Sequence, residues 1–329
     1  MGKDKTPKNA DGFDEIISII ESARENAFRS VNKELINMYW NIGEYVSKRV
    51  TEDGWGKSVV KDFSDFIQRR YVGIRGFSAS NIWRMKQFFE TYNKNEKLAT
   101  LLRELTWSHN LLIMSCKTDE ERNYYTTLSI NGRYSFRELK RQIDSALFER
   151  TMLSDATNKP IADSSESLTA LRDNYVLEFL DLPKKHKEKD LRKAIVVNLK
   201  NFILEFGKDF VFIDDEYRVQ VGNRDFFIDL LFFNRALHCL VAIELKIGQF
   251  EPEYLGKMEF YLEALDRDVR HADENPSVGL ILCTEKDITV VEYAMSRSLS
   301  PALIAEYKLC LPDKQVLENK LRELTGLSE

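Results

Sequence analysis

Three ionisable side chains sit inside stretches that otherwise read as core: Asp229, Glu244 and Lys246. Asp229 is enclosed by Phe226-Phe227-Ile228 and Leu230-Leu231-Phe232-Phe233, and Glu244 ends the run Cys239-Leu240-Val241-Ala242-Ile243. Both runs are apolar, β-branched and aromatic, with Asn234-Arg235-Ala236 between them. That is the signal of two adjacent strands joined by a short turn. A charge inside such a strand is costly unless something pairs with it. Residues two apart on a strand share a face, so Glu244 and Lys246 point the same way. Asp229, on the neighbouring strand, reaches that face if the register allows. Two carboxylates and one ammonium converging at a sheet edge make a divalent-metal site with a lysine beside it. The plainer reading is three solvated charges or a structural ion pair in a half-exposed sheet. The apolar flanks favour the metal site.

The chain has 329 residues, a length that suits two domains. At 43% hydrophobic and 31% charged it can bury a sizeable core. No run approaches the length of a membrane span, and the N-terminus lacks an apolar signal core. Cys116, Cys239, Cys283 and Cys310 are widely spaced in apolar contexts and have no zinc-ligand spacing. They read as reduced, buried thiols of a cytoplasmic protein. Net charge is −5 but unevenly distributed: residues 1–155 carry 25 Lys/Arg against 22 Asp/Glu, and residues 156–329 carry 23 against 31. Between 57 and 86, Lys57, Lys61, Arg69, Arg70, Arg75, Arg84 and Lys86 face only Asp62 and Asp65, a local basic patch.

These strands need helices to hold them. From Phe13 to about Val50, Ile16, Ile20, Ala23, Ala27, Val31, Leu35, Met38 and Ile42 recur at helical intervals. A second helix spans about Lys57 to Tyr71. Gly73-Ile74-Arg75-Gly76-Phe77-Ser78 is a turn in which Ser78 caps a third helix running to about Thr91. That helix turns Ile82, Met85 and Phe89 inward and leaves Ser80, Asn81, Arg84 and Gln87 outside. Two helices around a glycine-containing turn, the second with a polar face, resemble a helix-turn-helix; a helical hairpin with a solvated face is the alternative. The basic excess favours DNA, with Ser80, Asn81, Arg84, Lys86 and Gln87 as the expected contacts. Ser108 is the expected cap of a further helix, and His109 reads as a structural residue of its first turn. Ser135-Phe136-Arg137-Glu138 is a capping box opening a helix to about Arg150. Residues 1–155 thus form a helical domain, and the polar stretch 153–168 is the linker.

Residues 156–329 alternate helix and strand. A helix from Arg192 to Phe206 is stopped by Gly207. Strand-like pieces follow at Phe210–Ile213 and Tyr217–Val221, then the two charged core strands and a helix over 251–266. A strand Val278–Cys283, a helix from Asp287, a strand Ala302–Tyr307 and a helix Lys314–Thr325 complete an α/β domain with a mixed sheet. Overall, the expected fold is a two-domain α+β protein.

Asp229 and Glu244-Leu245-Lys246, with fourteen residues between the carboxylates, resemble the PD-(D/E)XK nuclease superfamily, with its restriction-endonuclease-like fold. More specifically, the chain is similar to the YhcG-type family. The resemblance rests on Gly76-Phe77-Ser78, Leu-Thr-Trp-Ser-His-Asn at 105–110, and Leu204-Glu205-Phe206-Gly207-Lys208-Asp209-Phe210. It continues in Ile228-Asp229-Leu230-Leu231-Phe232, Glu244-Leu245-Lys246-Ile247-Gly248, Pro252-Glu253-Tyr254 and Phe260-Tyr261-Leu262. Ile228 stands where the superfamily name has Pro. The resemblance implies metal-assisted phosphodiester hydrolysis, with Asp229 and Glu244 holding Mg²⁺, or Mn²⁺ in its place. It implies that Lys246 orients or deprotonates the attacking water or neutralises the phosphate. It gives Glu205 the position of a further acidic catalytic residue, against the alternative of a solvated helix-end Glu. Gln249 and Glu253 are not expected as ligands, and Tyr254 and Lys257 are expected mainly to pack and solvate their helix.

The expected activity is therefore an Mg²⁺-dependent DNA endonuclease. The alternatives are a DNA-binding or assembly protein with an inactive nuclease fold, or a nuclease acting on RNA. No phosphate-binding loop, dinucleotide fingerprint, Gly-x-Ser-x-Gly elbow or His-Glu-x-x-His occurs, so no small-molecule cofactor is expected. Cutting both strands usually needs two sites, so a homodimer joined through the helical domain is expected. Defence against foreign DNA, such as phage, and repair of branched DNA both fit such an enzyme.

Overall fold

The computed structural model describes residues 10–157, 171–183, 185–296, 298 and 301–325. The polar tip before residue 10 and residues 158–168 of the expected linker lie outside them. The chain divides into two compact units, Met1–Lys140 and Arg141–Glu329.

The first unit is helical: α1 (Ala10–Glu52), α2 (Lys57–Arg70), α3 (Ala79–Tyr92), α4 (Glu96–Leu101), α5 (Trp107–Met114), α6 (Asp119–Gly132) and the first part of α7 (Phe136–Asp144). Ile36 and Tyr39 of α1 pack on Met85, Phe88 and Tyr92 of α3 and on Leu102 and Met114. The backbones of α1 and α3 touch at Gly43, where an added Cβ would lie 2.1 Å from the Met85 carbonyl oxygen. Ser78 caps α3 by accepting from the Asn81 amide. The cap of α5 is Thr106 rather than Ser108. The Thr106 hydroxyl lies 2.6 Å from His109 Nδ1, and Nε2 lies 3.0 Å from the Tyr134 carbonyl oxygen, so His109 is a structural residue. The Ser135/Glu138 capping box is reciprocal, at 2.8 and 3.4 Å.

The expected helix to Arg150 breaks at Ala146, which takes φ 51°, and resumes as α8 (Leu147–Thr157). The break aims two guanidiniums at one buried carboxylate. Arg141 and Arg150 donate to Glu205 at 3.0 and 2.9 Å, and Arg141 also holds Glu178. Both arginines and Glu205 lie in the second compact unit, to which α8 belongs.

That unit continues with β1 (Asn174–Val176), α9 (Glu188–Val197), α10 (Leu199–Phe206), β2 (Phe210–Val221), β3 (Arg224–Asn234), β4 (Cys239–Leu245), α11 (Glu253–Asp268), β5 (Asn275–Cys283), α12 (Ile288–Met295), β6 (Ala302–Lys308) and α13 (Lys314–Thr325). The six strands form one mixed sheet in the order β1-β6-β5-β4-β3-β2. β2, β3 and β4 are antiparallel, while β4, β5, β6 and β1 are parallel. Leu191, Ile195, Phe202 and Phe206 of α9 and α10 cover one face. Leu255, Met258, Tyr261 and Leu265 of α11 cover the other. Three expectations are corrected. The helix 192–206 is two helices, broken at Asn198, whose side chain donates to the Ala194 carbonyl. The two strand pieces before β3 are one strand, because pairing with β3 continues through Asp214 and Asp215 across a bulge. Cys310 is exposed; the other three cysteines are buried and all four are free.

Burial alone would raise the pKa of Glu205, but the charges of Arg150, Arg172 and Arg141 outweigh it and hold the carboxyl below its ordinary range. Glu205→Gln leaves those guanidiniums uncompensated and should cost about 3 kcal/mol in urea or thermal unfolding. With a depressed folded-state pKa, the contribution is complete above the unfolded value of 4.5 and is lost as pH falls through the folded one. The difference between wild type and Glu205→Gln should therefore shrink in acid; a constant difference from pH 7 down to the acid transition would contradict this account.

Candidate active site

In the β3–β4 ladder Leu230 faces Ile243, so the next step of the same register sets Asp229 opposite Glu244. Residues opposite one another in an antiparallel pair share a face. Here it is the face under α11, where Leu240 and Ala242 of β4 also point. α11 lies close because β5 carries Gly279 beneath it: an added Cβ would be 2.6 Å from Met258 Sδ.

Asp229 is anchored twice. Its Oδ2 accepts from the Leu245 amide at 2.9 Å and its Oδ1 from Arg192 Nη1 at 3.1 Å. Lys246 follows β4 directly, and its amide donates to the Leu282 carbonyl at 2.8 Å, extending the β4–β5 pairing and fixing the side chain's origin. Lys246 Nζ lies 2.9 Å from Glu244 Oε1, 3.4 Å from Glu188 Oε2 and 5.3 Å from the centre of the Tyr254 ring.

Glu244 is only 1% exposed. Its Oε1 receives both Lys246 and Lys257 of α11. Its Oε2 is buried and has no hydrogen-bond partner. Burial first, and the charge of Asp229 second, push the Glu244 carboxyl above the usual range, against the pull of the two lysines. Burial lowers the Lys246 and Lys257 ammoniums, but Glu244 outweighs it and both end raised, so both are cations at neutral pH.

Two carboxylates facing each other, one with a buried oxygen left unsatisfied, form a set of oxygen donors suited to a hard divalent cation. Among the described residues no group of three or more His, Cys, Asp and Glu converges. Asp229 and Glu244 are the two carboxylates that the ladder register sets opposite each other.

The structure brings Asp229, Glu244 and Lys246 together but not Glu205. Both Glu205 carboxylate oxygens are taken, one by Arg141 and the other by Arg150 and the Val176 amide. Its surroundings are those of a structural counter-ion. Lys257, expected to solvate its helix, instead meets Glu244. Arg192 and Glu188 were not singled out in the sequence; both lie on α9, and nothing in their local spacing marks them.

The expected DNA-contact residues on α3 divide in two. Ser80, Arg84 and Gln87 are exposed along one stripe. Asn81 is spent internally, donating to the Gly76 carbonyl at 2.6 Å and accepting from Trp107 Nε1 at 2.9 Å. Lys86 pairs with Glu90 at 2.7 Å. The α2–α3 connection runs from residue 71 to 78, longer than the tight turn of a standard helix-turn-helix.

Comparison with known proteins agrees with this geometry. Residues 168–322 match the YhcG PDDEXK nuclease domain, and residues 15–150 match the DUF1016 N-terminal domain. The chain is 32% identical over 347 residues to the protein named "Putative nuclease YhcG" of Escherichia coli (strain K12), covering 94% of this chain and 92% of that one. A solved repair endonuclease from Pyrococcus abyssi is similar to 39% of this chain and 50% of its own at 13% identity, with a TM-score of 0.27, too slight to bear on fold or chemistry. With the charged triad assembled on a mixed sheet and both domain models matched in order, the chain belongs to the YhcG-type family, whose C-terminal domain is a PDDEXK nuclease domain.

Proposed function

We propose that this protein is a divalent-metal-dependent endonuclease that hydrolyses DNA phosphodiester bonds. The observation that carries the reading is the buried, unpartnered Glu244 Oε2 on a residue that the ladder register sets opposite Asp229, within a PDDEXK nuclease domain. Asp229 and Glu244 would hold the cation, with Mg²⁺ the natural choice and Mn²⁺ its substitute. When bound, it would acidify a water and stabilise charge on the phosphate. Arg192 and the Leu245 amide fix the Asp229 carboxylate, so little reorganisation is required of it. Lys246, beside Glu244, would orient or help deprotonate the attacking water or offset charge on the phosphate. Lys257 balances the buried Glu244 charge. The exposed stripe of Ser80, Arg84 and Gln87 supports a DNA-contacting role for the first unit.

The test is cleavage of plasmid DNA, branched DNA and RNA with Mg²⁺, Mn²⁺ or EDTA. Wild type should cut DNA only with metal. Asp229→Asn and Glu244→Gln should abolish cutting, and Lys246→Ala should slow it by about a hundredfold or more. Cleavage unaffected by Asp229→Asn, or no metal binding by wild type in calorimetry, would refute the assignment.

Lys257 and a metal compete for the same carboxylate. Lys257→Met should therefore tighten Mn²⁺ binding in calorimetric titration and enlarge the rise in melting temperature that Mn²⁺ confers. Unchanged or weaker binding would rule out the charge-balancing role.

For the α3 stripe, Arg84→Ala with Gln87→Ala should weaken binding of duplex DNA several-fold in fluorescence anisotropy on the Asp229→Asn background. It should also flatten the salt dependence. Equal affinity and salt slope would remove this face from the interface.

A further inference from the structure

The first stretch of α1 is an exposed apolar feature of the helical unit. From Glu15 to Val31 every residue is exposed. Phe13, Ile16, Ile17, Ile19 and Ile20 are each 50–63% exposed and Val31 is 69% exposed. The same helical stripe continues into the second half of α1, where Leu35, Met38 and Ile42 pack on the core. A core-forming stripe therefore runs uncovered for about five turns. A lone helix of that length is marginal in water, and so concentrated an apolar face marks a contact surface.

The stripe is asymmetric in charge. Its first half carries Phe13, Ile16, Ile17 and Ile20, and its second half mixes the small Ala23, Ala27 and Ser30 with the exposed Phe28 and Val31. The first half is acidic, with Glu15 and Glu21, and the second is net basic, with Arg24 and Arg29 against Glu25. Laid antiparallel on a second copy, with the two-fold axis near Ser22, the acidic half of each helix lies over the basic half of the other. Phe13 then opposes Val31, Ile16 opposes Phe28, Ile17 opposes Ala27 and Glu15 opposes Arg29. A parallel pair would instead stack Ile on Ile and Ala on Ala, leaving uneven layers and like charges together.

We propose that residues 13–31 of α1 form an antiparallel self-association surface, so that two copies of this chain pair through their first helices. The proposal is independent of the nuclease reading and its readout does not use activity. Full-length wild type should be a dimer by size exclusion with light scattering at micromolar concentration. Ile16→Asp with Ile20→Asp should make it a monomer whose circular dichroism still shows a folded protein. Orientation is read by spin labels in a Cys310→Ser background. Labels at Ser22→Cys should lie close together, and labels at Glu15→Cys should lie about 20 Å apart along the helix, given 1.5 Å per residue. A monomeric wild type, a dimer that survives the double Asp substitution, or Glu15 labels in close contact would each overturn the proposal. If wild type is monomeric but loses melting temperature on the double substitution, the face is covered within the chain and self-pairing is refuted.

Discussion

Most of the second unit serves one electrostatic constraint: a carboxylate held at the end of β4 with almost no access to water. A buried ion is tolerated only when its neighbours replace the lost hydration. Glu244 is replaced on one side only. Two ammonium groups approach Oε1, while Oε2 has no partner and an aspartate lies across the ladder. That imbalance is what the proposed cation would relieve, and the surrounding structure maintains it. Gly279 lets α11 come down far enough for Lys257 to reach, and the β4–β5 pairing carries Lys246 past the end of its strand.

Glu205 shows the opposite solution to the same problem. It is as buried as Glu244, yet its oxygens are fully occupied by guanidiniums and a backbone amide. The balanced carboxylate ties α7, α8, α10 and β1 together, and its guanidinium partners hold it below the ordinary carboxyl range. The unbalanced one keeps an oxygen without a hydrogen-bond partner. Residue type alone does not distinguish them; the difference lies in how many of the lone pairs the fold satisfies.

Within the helical unit, the polar residues of α3 are likewise sorted by their neighbours. Asn81 is drawn inward by Trp107 and the turn at Gly76, whereas Ser80, Arg84 and Gln87 have no such claim on them and stay at the surface. α1 divides along its length in a similar way, one apolar stripe being core in its second half and surface in its first.

What the sequence by itself determined is the local pattern. Strands rich in β-branched and aromatic residues, helices with regular apolar spacing, the Ser78 cap, the Ser135/Glu138 capping box and the convergence of Asp229, Glu244 and Lys246 all follow from short-range periodicity and side-chain chemistry. A register set by alternating faces is legible in one dimension. Only the tertiary structure decided what depends on residues far apart in the chain. Lys257 and Arg192 became parts of the site because helices on opposite faces of the sheet aim them there. Glu205 left the site because Arg141 and Arg150, more than fifty positions earlier, claim it. The break at Ala146 and the three-residue β1 were hidden for the same reason: each is stabilised by a distant partner, and the residues themselves carry no signal of it.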